Sequence, residues 1–113
     1  MISTSSWRTG YTQEIARAQS ARLAGNEGMA RVCARRAAGI VIGEYLHRRG
    51  LIRPGPSALQ RLKLLESMPD LDPQVKQAVG HLLLSVDKDH RLPPHIDLLS
   101  EAQWLAHALL GLE

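Results

Sequence analysis

The stretch that most constrains the fold runs from Asn26 to Gly50 and reads NEGMARVCARRAAGIVIGEYLHRRG. Asn26 is a good N-cap, because its side-chain carbonyl accepts an N–H group that the first helical turn leaves unpaired. At the other end, His47 and two arginines place cations in the last turn, and Gly50 suits the left-handed conformation that ends many helices. The stretch therefore predicts one long helix whose two ends are both marked by local signals.

Apolar side chains recur along this predicted helix at spacings of three and four residues, over an arc wider than one packing face requires. They are Met29, Val32, Cys33, Ala37, Ile40, Val41, Tyr45 and Leu46. Gly39 and Gly43 lie four residues apart in the same stretch, although glycine inside a helix costs about 1 kcal/mol relative to alanine. We expect the close approach of another helix backbone to offset that cost; sequence drift in a tolerant protein is the alternative.

Helix signals on either side of the long helix define the rest of the fold. After a predicted flexible segment over residues 1–11, Thr12 can cap a first helix that ends at Gly25 and forms an antiparallel hairpin with the long one. Ser57 with Gln60 forms a capping box for a third helix, and Asp72 precedes a fourth that begins with proline.

A final helix is predicted over Asp97–Leu110, with Gly111 as its stop signal. No stretch alternates as a strand would. The sequence therefore predicts an all-α fold, an up-and-down bundle of about five helices that forms a single domain over residues 12–111.

The amino-acid composition limits the class of protein that this chain can belong to and the cellular compartment in which we expect it. The chain has 113 residues, of which 44% are hydrophobic and 22% are charged, as is typical of one globular domain. No apolar run is long enough to span a bilayer and no hydrophobic signal-peptide core is present, so we expect a cytoplasmic protein with no membrane partner. The lone cysteine, Cys33, is interpreted as a small buried hydrophobe rather than a nucleophile, because no histidine close in sequence activates it.

The net charge of +3 conceals an uneven distribution. Residues 1–56 contain nine arginines and three glutamates, whereas residues 57–113 contain five basic and eight acidic side chains. This split is compatible with an acidic partner such as RNA, with complementary packing between halves or subunits, or with a solvated face.

Cofactor and metal sites are not predicted. The five histidines include no pair at metal-ligand spacing on one helix, and the cluster of Asp87, Asp89 and His90 is only a weak alternative. No glycine-rich phosphate loop follows a strand. Two tryptophans, two tyrosines and no phenylalanine offer little for bases to stack on, which argues against a single-strand-binding module.

In the order of its predicted helices, the chain resembles a small bacterial protein of the HEPN fold. The resemblance covers residues 12–111 and rests on the helix containing GNEGMARVCARRAAGIVIGEYL and on a loop with Arg, Pro and His before IDLLSEAQWLAHALL. It implies either a metal-independent RNA-cutting enzyme, often a toxin component, or a non-catalytic partner of a nucleotidyltransferase.

The nuclease motif of that family has an arginine, usually followed by a polar residue, and a histidine near the start of the last core helix, with four to six residues between the arginine and the histidine. The best match is Arg91 and His95, the candidate catalytic pair. Three residues intervene, Leu92 replaces the usual polar residue, and two prolines stiffen the spacing. We therefore expect a non-enzymatic interaction protein, and cleavage of RNA by Arg91 and His95 is the alternative.

Association with a second copy is also predicted. The central and final helices show more apolar surface than a five-helix monomer of this size can cover, and such surface is uncommon on soluble monomers. Trp104, with Leu105 and Leu109, is the expected anchor of a homodimer contact.

Overall fold

The computed structural model describes residues 6–50, 57–84 and 96–112, which form an all-α helical bundle. Its helices are α1 (Ser6–Leu23), α2 (Glu27–Arg48), α3 (Ala58–Glu66), α4 (Pro73–Leu84) and α5 (Leu98–Leu110). These three ranges contain no strand, which confirms the predicted fold class. None of the five described helices combines the length and apolarity that a bilayer-spanning helix requires.

The long predicted helix is α2, and it forms the centre of the bundle. It packs against α1, α3 and α5, while α4 bridges α3 and α5. Asn26 caps its start by accepting the N–H of Met29 at 3.0 Å, and Gly50 has a φ of 83° just after its end, as predicted. The predicted inward position of Met29 is wrong, since its side chain is 46% exposed and Ala30 faces the core in that turn.

The core is built mainly from leucine, valine and alanine side chains of α2 to α5 packed on one another. Its largest fully buried members are Ile42, Leu46, Leu62, Leu65, Leu82, Leu98, Leu105, Val41, Val79 and Cys33. The many small residues of α2, such as Ala34, Ala37 and Ala38, are completely buried and allow neighbouring helices to come close.

α1 begins at Ser6, so the predicted coil and the helix start at Thr12 are wrong for residues 6–11. Tertiary packing supports these first turns. Tyr11 is only 9% exposed in the core, and a Cβ added at Gly10 would lie 3.3 Å from the Cδ1 atom of Ile40. Burial against α2 therefore extends the first helix across a stretch that shows no apolar period.

Gly39 and Gly43 make room for α3, as the sequence predicts. A Cβ added at Gly39 would lie 2.7 Å from Cβ of Ala58 and 2.8 Å from its Cα, so here one helix backbone does approach another. At Gly43 the space is taken by a side chain instead, because an added Cβ would lie 2.5 Å from Nη1 of Arg61. That nitrogen donates to the carbonyl of Gly39 at 3.1 Å, which ties α3 to α2.

The remaining helix ends follow their local signals. Ser57 and Gln60 form the predicted capping box, and Asp72 accepts the N–H of Gln74 at 2.7 Å at the start of α4. α5 is capped by Asp97 and ends at Gly111, whose φ of 69° is left-handed.

Candidate functional site

The predicted catalytic pair, Arg91 and His95, lies outside the described residues. The described chain stops at Leu84, the end of α4, and resumes at Ile96, just before α5. The nuclease alternative therefore remains a prediction from sequence, as does the weaker cluster around Asp87.

The start of α5 is held by an ion-pair cluster that joins the two halves of the chain. Arg22 donates from Nη2 and Nη1 to the Asp97 carboxylate at 2.9 and 3.0 Å, and from Nε to Glu27 at 2.8 Å. Asp97 also accepts the backbone N–H of Leu99 at 3.0 Å as the helix cap. Hydrogen bonding from Arg22 holds the pKa of Asp97 below its usual value. A basic residue of the first half thus neutralises an acidic one of the second, as in the complementary-packing interpretation of the charge split.

A histidine and a carboxylate link α4 to α5 near the point where the described part of α4 ends. Nδ1 of His81 lies 2.6 Å from Oε1 of Glu101, and both side chains are 23% exposed. A carboxylate on Nδ1 selects the tautomer with its proton there, which is the arrangement found in general bases and also in simple helix-to-helix ties. Residues 6–50, 57–84 and 96–112 contain no group of three metal-ligating side chains, so the pair is not part of a metal site within them.

A shallow groove between α4 and α5 contains the only tryptophan of the C-terminal half. The groove has a volume of about 240 Å³ and is lined by Gln74, Gln77, Ala78, Glu101 and Trp104. Trp104 is half-buried against the core, whereas the exposed Ala108 follows one turn later on the same helix. This combination of a partly covered indole and uncharged amide side chains is suited to binding another protein surface.

Arginine and aromatic side chains cluster at the open end of the α1–α2 hairpin, where α1 begins and α2 ends. The guanidinium carbons of Arg8 and Arg48 lie 5.4 and 5.7 Å from the ring centroid of Trp7. Arg49 lies 5.5 Å from the ring centroid of Tyr45 and donates to its hydroxyl at 3.3 Å. We call these five residues the arginine–aromatic cluster. All three arginines are exposed, and both rings are partly buried.

Sequence reasoning missed this cluster because it placed the first helix too late. With α1 starting at Ser6, the antiparallel hairpin brings Trp7 beside the last turn of α2. The useful signal was the short connection at Gly25 and Asn26, since a tight turn forces the start of one helix and the end of the next to lie together.

Cys33 is confirmed as a buried residue, with 2% of its surface exposed. Burial raises the pKa of its thiol, and the nearby charge of Glu14 raises it further. The thiolate that a nucleophile requires is therefore disfavoured at this position.

No protein-family model, curated protein or solved structure matches this chain significantly. The resemblance to HEPN proteins accordingly remains a prediction. Function has to be inferred from the residues and their geometry.

Proposed function

We propose that this chain is a non-enzymatic, HEPN-like interaction protein of the bacterial cytoplasm that works as a homodimer. The order of the five helices supports the HEPN-like part, and the single buried thiol of Cys33 suits a reducing compartment. By the same resemblance, a nucleotidyltransferase is the class of additional protein partner that we expect.

The position of Trp104 carries the dimer proposal. Tryptophan is the side chain most enriched at the energetic centres of interfaces, where one face packs on its own protein and the other on the partner. Gln74 and Gln77 beside it can each donate and accept hydrogen bonds across a contact, and the carboxylate of Glu101, which lines the same groove, has His81 as its partner at 2.6 Å. A symmetric dimer would bring two copies of this patch together around a two-fold axis.

The predicted anchor needs one correction. Leu105 is fully buried in the core of its own chain, so it is not available to a partner. Its place on the outer face is taken by Ala108, whose small exposed side chain allows a second helix to approach closely. The proposed interface is therefore the α4–α5 groove centred on Trp104, with Ala108 as its closest point of contact.

Sedimentation equilibrium at micromolar concentration tests the interface. Ala108→Arg introduces a long cation at the proposed contact, and Ala16→Arg makes the same change at an exposed position of α1 as the matched control. We expect the unmodified chain and Ala16→Arg to sediment as dimers and Ala108→Arg as a monomer with unchanged far-ultraviolet circular dichroism. A monomeric unmodified chain would refute the dimer, and a dimeric Ala108→Arg variant would refute this surface.

Incubation with RNA in the absence of metal tests the non-enzymatic part. The two prolines between Arg91 and His95 favour an extended backbone, in which residues four apart lie about 13 Å apart, so from the sequence we expect this pair to be poorly spaced for one phosphate. We expect no cleavage above a blank. Cleavage that Arg91→Ala and His95→Ala each abolish, with the fold intact, would replace this proposal with the nuclease alternative.

A further inference from the structure

The arginine–aromatic cluster contains more positive charge than the dipoles of its two helices favour. Arg8 lies in the first turn of α1, where the helix dipole disfavours a cation, and that turn contains no acidic residue. Arg8 and Arg48 also share one ring, which brings two positive charges close together. Cations at the end of α2 complement its dipole, but they do not account for a third arginine contributed by α1.

Within residues 6–50, 57–84 and 96–112, much of the positive charge of the cluster has no acidic partner. Glu44 pairs with Arg48 at 2.8 Å, whereas Arg8 and Arg49 form no ion pair with any residue of the described ranges. The three arginines are exposed, and each guanidinium carbon lies within 5.7 Å of the centroid of an aromatic ring. Guanidinium groups placed in this way are suited to bind phosphate oxygens through paired N–H donors.

The scarcity of aromatic residues argues against a single-strand-binding module, but the structure places Trp7 and Tyr45 each beside an arginine. These two rings distinguish a nucleic acid from an acidic peptide as the partner. An acidic peptide would use the arginines but gain little from an indole and a phenol, whereas a nucleobase stacks on both rings and on guanidinium planes. Tyr45 and Arg49 lie one helical turn apart on α2, and Arg48, the neighbour of Arg49, lies against Trp7 of α1, so both ring–arginine sets meet the last turn of α2. A single strand offers bases to such rings and phosphates to such cations.

We propose that the arginine–aromatic cluster binds single-stranded nucleic acid, with a base stacked on Trp7 or Tyr45 and phosphates held by Arg8, Arg48 and Arg49. The cluster lies at the far end of α2 from the capped start of α5, and a helix of that length spans about 33 Å. This activity goes beyond the proposed dimer, which uses α4 and α5, and either can fail without the other.

Fluorescence titration with short oligouridine and oligothymidine tests the proposal. The chain has two tryptophans, so a Trp104→Phe background leaves Trp7 as the only indole emitter. We expect both single strands to quench Trp7 at low salt, because a stacked base quenches the indole directly. A polyglutamate chain should not quench it.

Two variants then separate stacking from charge, with binding followed by anisotropy of a labelled strand. Trp7→Leu should weaken binding about fivefold to a hundredfold, the range for losing one base–aromatic stack. Arg49→Ala should reduce the slope of log affinity against log salt by about 0.7, the value for one phosphate contact of a single strand. Arg17→Ala is the matched control, since this arginine is also exposed on α1 but lies outside the cluster.

Absence of binding to either strand at low salt would overturn the proposal. So would binding that survives Trp7→Leu and Arg49→Ala but falls with Arg17→Ala, which would place the site elsewhere. Equal competition by polyglutamate would also overturn it, because the surface would then recognise negative charge without bases.

Discussion

Replacing Gly39 by alanine adds one methyl group at the closest approach of α2 and α3. The new Cβ would lie 2.7 Å from Cβ of Ala58 and 2.8 Å from its Cα, closer than Cβ contacts in real proteins. Because the second of these atoms belongs to the backbone of α3, the clash cannot be relieved by turning a side chain. We expect a steric cost of about 1 to 3 kcal/mol, the usual range for overpacking a core.

The same substitution also replaces a helical glycine, which by itself stabilises a helix by about 1 kcal/mol. Gly80→Ala is the matched control, since Gly80 lies within α4 and a Cβ added there would have no neighbour within 4 Å. Gly80→Ala should raise the free energy of unfolding, and Gly39→Ala should lower it or leave it nearly unchanged. The difference between the two variants isolates the steric cost and should be about 1 to 3 kcal/mol.

Urea unfolding followed by circular dichroism measures both free energies, provided that the two variants have similar denaturant slopes. Ala58→Gly in the Gly39→Ala background removes one of the two clashing atoms, so it should restore part of the lost stability. If Gly39→Ala stabilises the protein as much as Gly80→Ala, then α3 does not approach α2 at this point. That result would refute the packing argument.

Three further predictions follow from single contacts. Gly43→Ala should cost less than Gly39→Ala in the same titration, because its Cβ meets the mobile end of the Arg61 side chain; an equal or larger cost would contradict this. Asp97 has a lower pKa in the folded protein than in the unfolded chain, so its ion pair stabilises the fold fully at pH values above the unfolded-state pKa of Asp97. This stabilisation is lost as the pH falls through the folded-state pKa of Asp97. Asp97→Asn keeps an N-cap acceptor, so its stability should fall less than that of the unmodified chain between about pH 6 and pH 2, and parallel losses would count against the ion pair. Cys33 should react with a thiol reagent only after unfolding in urea, and rapid labelling of the folded chain would show that it is accessible.

The sequence by itself determined the class of fold and most helix ends. Asn26, the Ser57 capping box, Asp97 and Gly111 each act through hydrogen bonds or backbone torsions within a few residues, so their effect does not depend on the rest of the chain. The paired glycines of α2 likewise indicated a close contact, because their cost to the helix needed an offset. The residues around Gly39 and Gly43 did not indicate which atoms of another helix would lie beside each glycine.

Only the tertiary structure decided where the first helix begins and which distant residues meet. α1 extends back to Ser6 across a stretch that shows no apolar period, where Tyr11 is buried and Gly10 lies close to Ile40 of α2. The contacts of Arg22 with Asp97 and of Trp7 with Arg48 join residues 75 and about 40 positions apart, respectively. Such pairings depend on how helices pack and on where their ends fall in space, and the spacing of residues along the chain does not contain that information.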